Sequence, residues 1–388
     1  MTTLGIYVQV PFCQAKCTYC NFPAGVYPYV ARERYFDALE REITDVEAFC
    51  EGARILADVL DLPVDSIYVG GGTPSLFELP VIERILKNVH KRFQVCADCE
   101  TTLEVDPETV TPEKAQAWLE AGVNRVSLGA QSFEDRELKA VGRRHRRSDI
   151  EHAVAILRAA GAQNVSLDLI AGLPYQTWTS WEETLAGAER LQPEHISLYM
   201  LEIDEKSRLG REALAGGRRY SAAELVDPDL LADFYESAVE RLRSRGYHHY
   251  EISNFAVPGR ESRHNLKYWN REPYLGFGSA AHSFDGARRW WNVADPADYA
   301  MRIESGQAAV EAVTAVTKRE AQEEFFFLGL RQIDGIRLDS PQIELSRDFQ
   351  ERVERLVSQG LLIEESGCVR LSPHALVVSN AVFAEFVG

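Results

Sequence analysis

A short β-branched apolar run, a polar or glycine-rich turn and a longer stretch of helical periodicity recur six times in the first two hundred residues. The apolar runs are 5–10, 66–69, 101–105, 125–128, 165–170 and 195–201, and the helical stretches between them include 30–49, 80–92, 112–121, 148–160 and 181–191. Six strand-then-helix units predict an α/β fold on a parallel sheet, with helices covering one face of the strands and the other face curved around a core. Six is fewer than the eight of a closed barrel. The expectation is therefore an open, partial (βα)6 TIM-like barrel, with an open doubly wound sheet as the competing arrangement. Either one gathers its functional loops at the carboxyl ends of the strands.

Beyond residue 201 the pattern changes. Residues 228–246 read as one amphipathic helix, and 247–291 form an aromatic, glycine-rich stretch too apolar for a linker. Helices are expected over 318–330 and 346–359, a hairpin over 361–364 and 369–371, and a last helix over 375–386. That order suggests a mostly helical, winged-helix-like C-terminal domain. The chain thus divides at 1–205, 206–312 and 313–388.

Forty-two Lys and Arg against 59 Asp and Glu leave a formal charge of -17, which repels phosphate backbones and anionic surfaces. Nucleic acid is not expected as a partner. The densest basic run, Arg143, Arg144, His145, Arg146 and Arg147, reads equally well as a solvated loop entering a helix. The strand-like run begins too early for a secretory leader, and no stretch reaches the roughly 18 to 20 apolar residues of a membrane span. Seven cysteines, three of them within eight positions, resemble ligands in a reducing compartment more than a disulfide framework. A cytoplasmic location is expected.

Those three, Cys13-x3-Cys17-x2-Cys20, follow the first strand. Three thiolates on one loop can hold three irons of a 4Fe-4S cubane and leave the fourth iron open to a small chelating molecule. The amino and carboxylate groups of S-adenosylmethionine (SAM) are such a chelate. The competing metal is zinc, with Cys96-x2-Cys99 completing a four-thiolate site. Gly70-Gly71-Gly72-Thr73-Pro74 follows the second strand. Taken alone, a glycine run marks a tight turn.

In register with the cysteine loop it means more. The CxxxCxxC loop and this glycine element resemble the signature of the radical-SAM superfamily, in which the glycine element holds the SAM amino group. Later matches narrow the resemblance to the coproporphyrinogen-III-dehydrogenase-like branch: Leu103-Glu104-Val105-Asp106-Pro107, Gly129-Ala130-Gln131-Ser132, Gly142-Arg143-Arg144-His145, Ser166-Leu167-Asp168-Leu169 and Gly172-Leu173-Pro174. The resemblance implies a SAM site formed by Tyr7, Gly71, Gly72, Thr73, Glu104, Gln131, Arg143 and Asp168. Carboxylates accept from ribose hydroxyls, and an arginine can pair with the SAM carboxylate.

Within the branch, the dehydrogenase pattern has a fourth cysteine two positions after the third, where this chain has Phe22, and an N-terminal extension before the signature. The segment 250–256 and the box His264-Asn265-Leu266-Lys267-Tyr268-Trp269 are instead similar to HemW-type haem chaperones. That likeness implies haem bound at His264, Tyr268 and Trp269, with His282 as a second ligand candidate. It also implies delivery to a haem-accepting protein and no conversion of coproporphyrinogen III, while the oligomeric state stays open, a homodimer being one alternative. A porphyrin-modifying radical-SAM enzyme is the alternative. The likeness expects a glycine near Ser279-Ala280 and a glycine turn at His374-Ala375.

Overall fold

The computed structural model describes residues 2–53, 58–340 and 344–388. The six expected strands are β1 (Leu4–Val10), β2 (Val64–Gly71), β3 (Val95–Val105), β4 (Arg125–Gln131), β5 (Val165–Ala171) and β6 (His195–Met200). They stand side by side in chain order, every neighbouring pair parallel.

Alternation along these strands sets what the two faces are for. On β4 to β6, Val126, Leu128, Leu167, Leu169, Ile196 and Leu198 are buried in the apolar core. One residue out of phase, Arg125, Ser127, Asp168, Ser197 and Tyr199 line a cavity on the other face. A face so polar cannot close as an apolar core. The inside of the curved sheet is a ligand chamber.

The stretch 247–291 shows no strand period in sequence because its strands run only three to five residues, too short to reveal one. It nevertheless extends the sheet at both edges. Next to β6 come β8 (Asn254–Ala256) and β7 (His248–Glu251), both antiparallel. Next to β1 comes β9 (Tyr274–Phe277), parallel, followed by β10 (His282–Phe284), β11 (Arg288–Asn292) and β12 (Val310–Ala315), all antiparallel. The result is one sheet of 12 strands. Helix 30–49 of the sequence reading is divided at Asp45 into Tyr29–Thr44 and Val46–Gly52. Ala280 takes φ +57, which explains why a glycine is expected near it.

The C-terminal part has the expected helices Lys318–Gly329 and Arg347–Ser358. Its hairpin gains a strand: β13 (Ile336–Arg337) joins β15 (Cys368–Leu371), which pairs with β14 (Leu362–Glu365). The last helix is shorter than 375–386, spanning Ser379–Ala384 after a 3-10 turn at Pro373–Ala375. Phe326, Phe349 and Phe386 cluster with near-parallel rings, Phe326 lying 5.4 Å from Phe349 and 4.4 Å from Phe386. This part docks on the open side of the barrel. Ile252 N donates to the Arg331 carbonyl at 3.0 Å, Ile333 N donates to that of Tyr250 at 3.1 Å, and Glu324 accepts from Arg271 and Arg289 at 2.8 and 3.0 Å. Ser379 and Asn380 thereby reach the cavity wall. Among the described residues no helix is long and apolar enough to cross a membrane.

Candidate functional site

The cysteine loop is anchored before its first thiol. Phe12 is fully buried, with Tyr27, Tyr35, Phe36 and Phe77 around its ring at centroid distances of 5.6, 5.1, 5.8 and 5.7 Å. Cys13 N donates to the Gly25 carbonyl and Gly25 N to that of Pro11, at 2.8 and 2.9 Å, which closes the loop on itself. Thr18 N donates to Val141 O at 3.0 Å and Thr18 O accepts from Leu209 N at 2.8 Å, fixing the outer half. Cys13, Cys17 and Cys20 are free thiols that line one cavity of about 570 Å3. Burial pushes the Cys13 thiol up to about 11, against the opposing hydrogen bond from Thr73. Burial also raises Cys20. Binding iron must therefore expel protons from thiols that rest neutral at pH 7.

The glycine element is fastened to this loop. Gly72 N donates to Val10 O at 2.7 Å and Thr73 N to Phe12 O at 2.8 Å. A Cβ at Gly72 would stand 2.6 Å from the Phe12 carbonyl oxygen, and Gly71 has φ +109. Both glycines are thus required, one by close approach and one by conformation.

Glu104, Gln131, Arg143 and Asp168 line the same cavity. Glu104 accepts from Gly71 N and the Tyr68 hydroxyl, both at 2.9 Å. Burial still lifts its carboxyl to about 7. Asp168 accepts from the Ser127 hydroxyl at 3.0 and 3.3 Å, and burial lifts it to about 6. Gln131 sits at φ +66 beyond a register shift in β4, and a non-glycine residue held there stores about 1–3 kcal/mol of strain. Tyr7 stands one layer away, stacked on the cavity-lining Tyr68 at 6.0 Å and donating to Gln9 Oε1 at 2.6 Å.

Arg143 already has a partner. Its Nη2 lies 3.0 Å from Asp106 and donates to Gly129 O at 2.8 Å. Burial opposes ionisation of Asp106, yet Arg143 and His145 hold its carboxyl below the usual range. Arg143 keeps a buried, unpartnered Nε and an Nη1 3.8 Å from Cys17 Sγ. Asp106 was within reach of sequence reasoning, since it follows Glu104 by two positions, just past the end of β3. Tyr68, Arg125 and Ser127 were signalled only by the polar phase of their strands. Two further members of the basic run have local partners, Arg144 with Glu108 at 3.4 Å and Arg147 with Glu151 at 3.0 Å.

The HNxxYW box forms the helix Arg263–Trp269. His264 is 1% exposed, and both its ring nitrogens are engaged: Nδ1 is 3.0 Å from Ser66 Oγ and Nε2 is 2.8 Å from the Tyr268 hydroxyl. Tyr268 meets His264 and Tyr274 edge-on, and Arg331 lies 4.5 Å above Trp269. The three do not form an open platform. Asn265 is the residue of the box that lines the cavity. His282 is exposed and stacks on Trp291 at 5.6 Å.

Three free thiols facing a cavity with ionisable walls fit a 4Fe-4S cluster with one open iron and a SAM molecule beside it. Phe22, at the position of the dehydrogenase's fourth cysteine, is 58% exposed. Cys96 and Cys99 lie near the amino end of β3, away from the loop, and the Cys99 thiol donates to Glu100 O at 3.7 Å. Among the described residues no three His, Cys, Asp or Glu side chains converge to hold a single metal ion. The zinc alternative has no second pair of thiols beside the loop.

Residues 7–187 match the Radical SAM superfamily, and residues 316–378 match the HemN C-terminal domain. The chain is 32% identical to the heme chaperone HemW of Bacillus subtilis, over 98% of each chain. It is 30% identical to HemW of Escherichia coli, over 99% of this chain and 98% of that one. It is 31% identical to the mouse radical S-adenosyl methionine domain-containing protein 1, mitochondrial, over 98% and 86%. Among solved structures it superposes on coproporphyrinogen III oxidase (HemN) of Escherichia coli with a TM-score of 0.83, at 23% identity over 99% and 90%. That last likeness describes the fold.

Proposed function

Since this chain belongs to the heme chaperone HemW family of the radical-SAM superfamily, we propose that it binds haem and passes it to an acceptor protein. The observation that carries this is the extent of the likeness, which covers 98–99% of the chain and so includes the 250–291 segment as well as the cluster half. The cofactors are a 4Fe-4S cluster, SAM and haem. Bound together, cluster and SAM supply one-electron chemistry at the sulfonium. Cys13, Cys17 and Cys20 hold the cluster in this reading, and Gly71, Gly72, Thr73, Glu104, Gln131 and Asp168 orient SAM. Arg143, neutralised by Asp106, positions Gly129 and the Cys17 sulfur. We assign the protein to the cytoplasm on its cysteine usage, because an oxidising compartment would consume free ligand thiols that line an open cavity. Net charge argues against nucleic acid as its partner.

The carboxyls give this reading a pH dependence. Glu104 and Asp168 accept ribose hydroxyls most strongly when ionised, and their values of about 7 and about 6 mean that ionisation is lost as pH falls through that window. SAM affinity is expected to be full above about pH 8 and at least about tenfold weaker near pH 5.5. Asp168→Asn should weaken SAM by a similar factor at pH 8 and flatten the lower part of the profile. Equilibrium titration of the cluster-loaded protein measures both. A flat profile in the parent protein would remove these carboxyls from the site.

We further propose that haem binding at the box opens the hydrogen bond between His264 and Tyr268, because an iron ligand needs a free ring nitrogen. Stoichiometric haem with no turnover of coproporphyrinogen III under SAM and reductant is the expected outcome for the function as a whole. For the ligand, His264→Ala should shift or remove the Soret band, whereas Tyr268→Phe, which frees Nε2, should retain it. If only His282→Ala removes the band, the exposed imidazole beside Trp291 is the ligand. Conversion of coproporphyrinogen III would instead support the enzyme reading.

A further inference from the structure

Arg125 is 2% exposed at the start of β4 and lines the cavity. Among the described residues it has no ion pair and no side-chain hydrogen bond, and its Nε is buried without a partner. Glu100 and Asp168 influence it electrostatically. Neither approaches to ion-pair distance, for Asp168 is held by Ser127 and Glu100 accepts the backbone N–H groups of Arg263 and His264 at 3.2 Å each. A buried arginine without a bound acceptor forgoes the hydrogen bonds that normally offset its desolvation. Other buried or half-buried arginines of this fold show the contrast: Arg143 has Asp106, and Arg271 has Glu324.

The place of this group is specific. Arg125 pairs across the sheet with Thr102, on the amino-terminal side of Glu104, so it lies deeper in the barrel than the cysteine loop and the glycine element. The chamber that it lines also takes in Asn265 of the HNxxYW box. A volume of about 570 Å3 falls within the roughly 300–1,000 Å3 of small-molecule pockets.

We propose that Arg125 is an anion subsite on the floor of the barrel that takes a carboxylate of the bound ligand, its planar fork matching a carboxylate in two parallel hydrogen bonds. Two molecules of the proposed function bear carboxylates, haem through its propionates and SAM through its methionine half. The subsite therefore rests on that reading for its ligands, although not for its geometry. Deep placement, and the presence of Asn265 on the wall of the same chamber, favour a propionate.

The test crosses one variant with esterified and decarboxylated ligands on anaerobically cluster-loaded protein. Arg125→Gln is expected to weaken haem at least about tenfold while changing the affinity for haem dimethyl ester less than about twofold. A loss confined to SAM, and absent with decarboxylated SAM, would keep the subsite and assign it to SAM. Unchanged affinity for both haem and SAM in a folded, cluster-loaded variant overturns the proposal and leaves Arg125 as a counter-charge to Glu100 and Asp168. If Arg125→Gln fails to load its cluster, the same comparison is made with Arg125→Lys. That variant keeps the charge but loses the fork, and should show a smaller loss selective for the free acid; no selectivity there also overturns the proposal. Failure of the parent protein to bind haem would defeat the chaperone reading separately, with the SAM comparison still deciding on Arg125.

Discussion

Changing Cys13, Cys17 and Cys20 together to Ala will reduce iron and sulfide from about four of each per chain to background after anaerobic reconstitution. The three thiols stand on a loop of eight residues whose closing hydrogen bonds, Cys13 N to Gly25 O and Gly25 N to Pro11 O, are made by backbone atoms and use no thiol. The triple variant should therefore remain folded, and loss of the cluster can be separated from loss of structure. Affinity for SAM should fall with it, because the chelating contact to the open iron goes too, leaving only the contacts along Gly71 to Asp168. Metal analysis, the visible absorption of the cluster and a thermal melt together make the measurement. Stoichiometric zinc in the parent protein, or retained iron and sulfide in the triple variant, would refute the assignment of these cysteines.

Phe12→Ala is expected to destabilise the fold by about 3–5 kcal/mol, the usual cost of deleting a buried aromatic ring. Phe12 is at the top of that range in its surroundings, with four aromatic rings within 5.8 Å and no solvent exposure. It also lies immediately before Cys13, and its carbonyl accepts from Thr73 N, so one side chain anchors both the cluster loop and the glycine element. Cluster retention should drop more than global stability alone explains. Phe12→Leu, which keeps apolar bulk without the edge-to-face contacts, should recover most of the stability. Denaturant unfolding beside the rate of cluster loss reads the two effects apart. Equal losses in both would mean that the ring supports the barrel as a whole and has no particular bearing on the loop.

Different parts of the molecule were legible to different depths. The six β-α units could be read because each strand lasts six residues or more and each helix spans several turns, long enough for a period to show. The edge strands β7 to β11 could not, since three to five residues carry no period, and β8 and β9, which attach them to the barrel, find their barrel partners far along the chain. β9 pairs with β1, some 270 residues earlier in the sequence. The cysteine loop was readable for the opposite reason. Its ligands come from one short segment, so spacing alone carries the chemistry.

The residues at the ends of successive strands form an intermediate case. Resemblance brought Glu104, Gln131, Arg143 and Asp168 together, and the structure places all four on one cavity. It also gives Arg143 a carboxylate partner, Asp106, that alters the role its residue type suggested. His264 shows the same limit more sharply. The sequence presents an imidazole beside two aromatic rings, whereas the fold fills one of its nitrogens from Ser66, 198 residues away, and the other from Tyr268.

The sequence by itself determined the six-unit sheet, the three-thiolate loop and the polar phase of the inner strands, because periodicity and local spacing are properties of neighbouring residues. Only the tertiary structure decided which buried polar groups are satisfied and which are left to a ligand: Arg143 and His264 have partners, and Arg125 has none. Hydrogen-bond satisfaction depends on atoms brought within about 3 Å by the whole fold, and no arrangement of residue types along a chain specifies that distance.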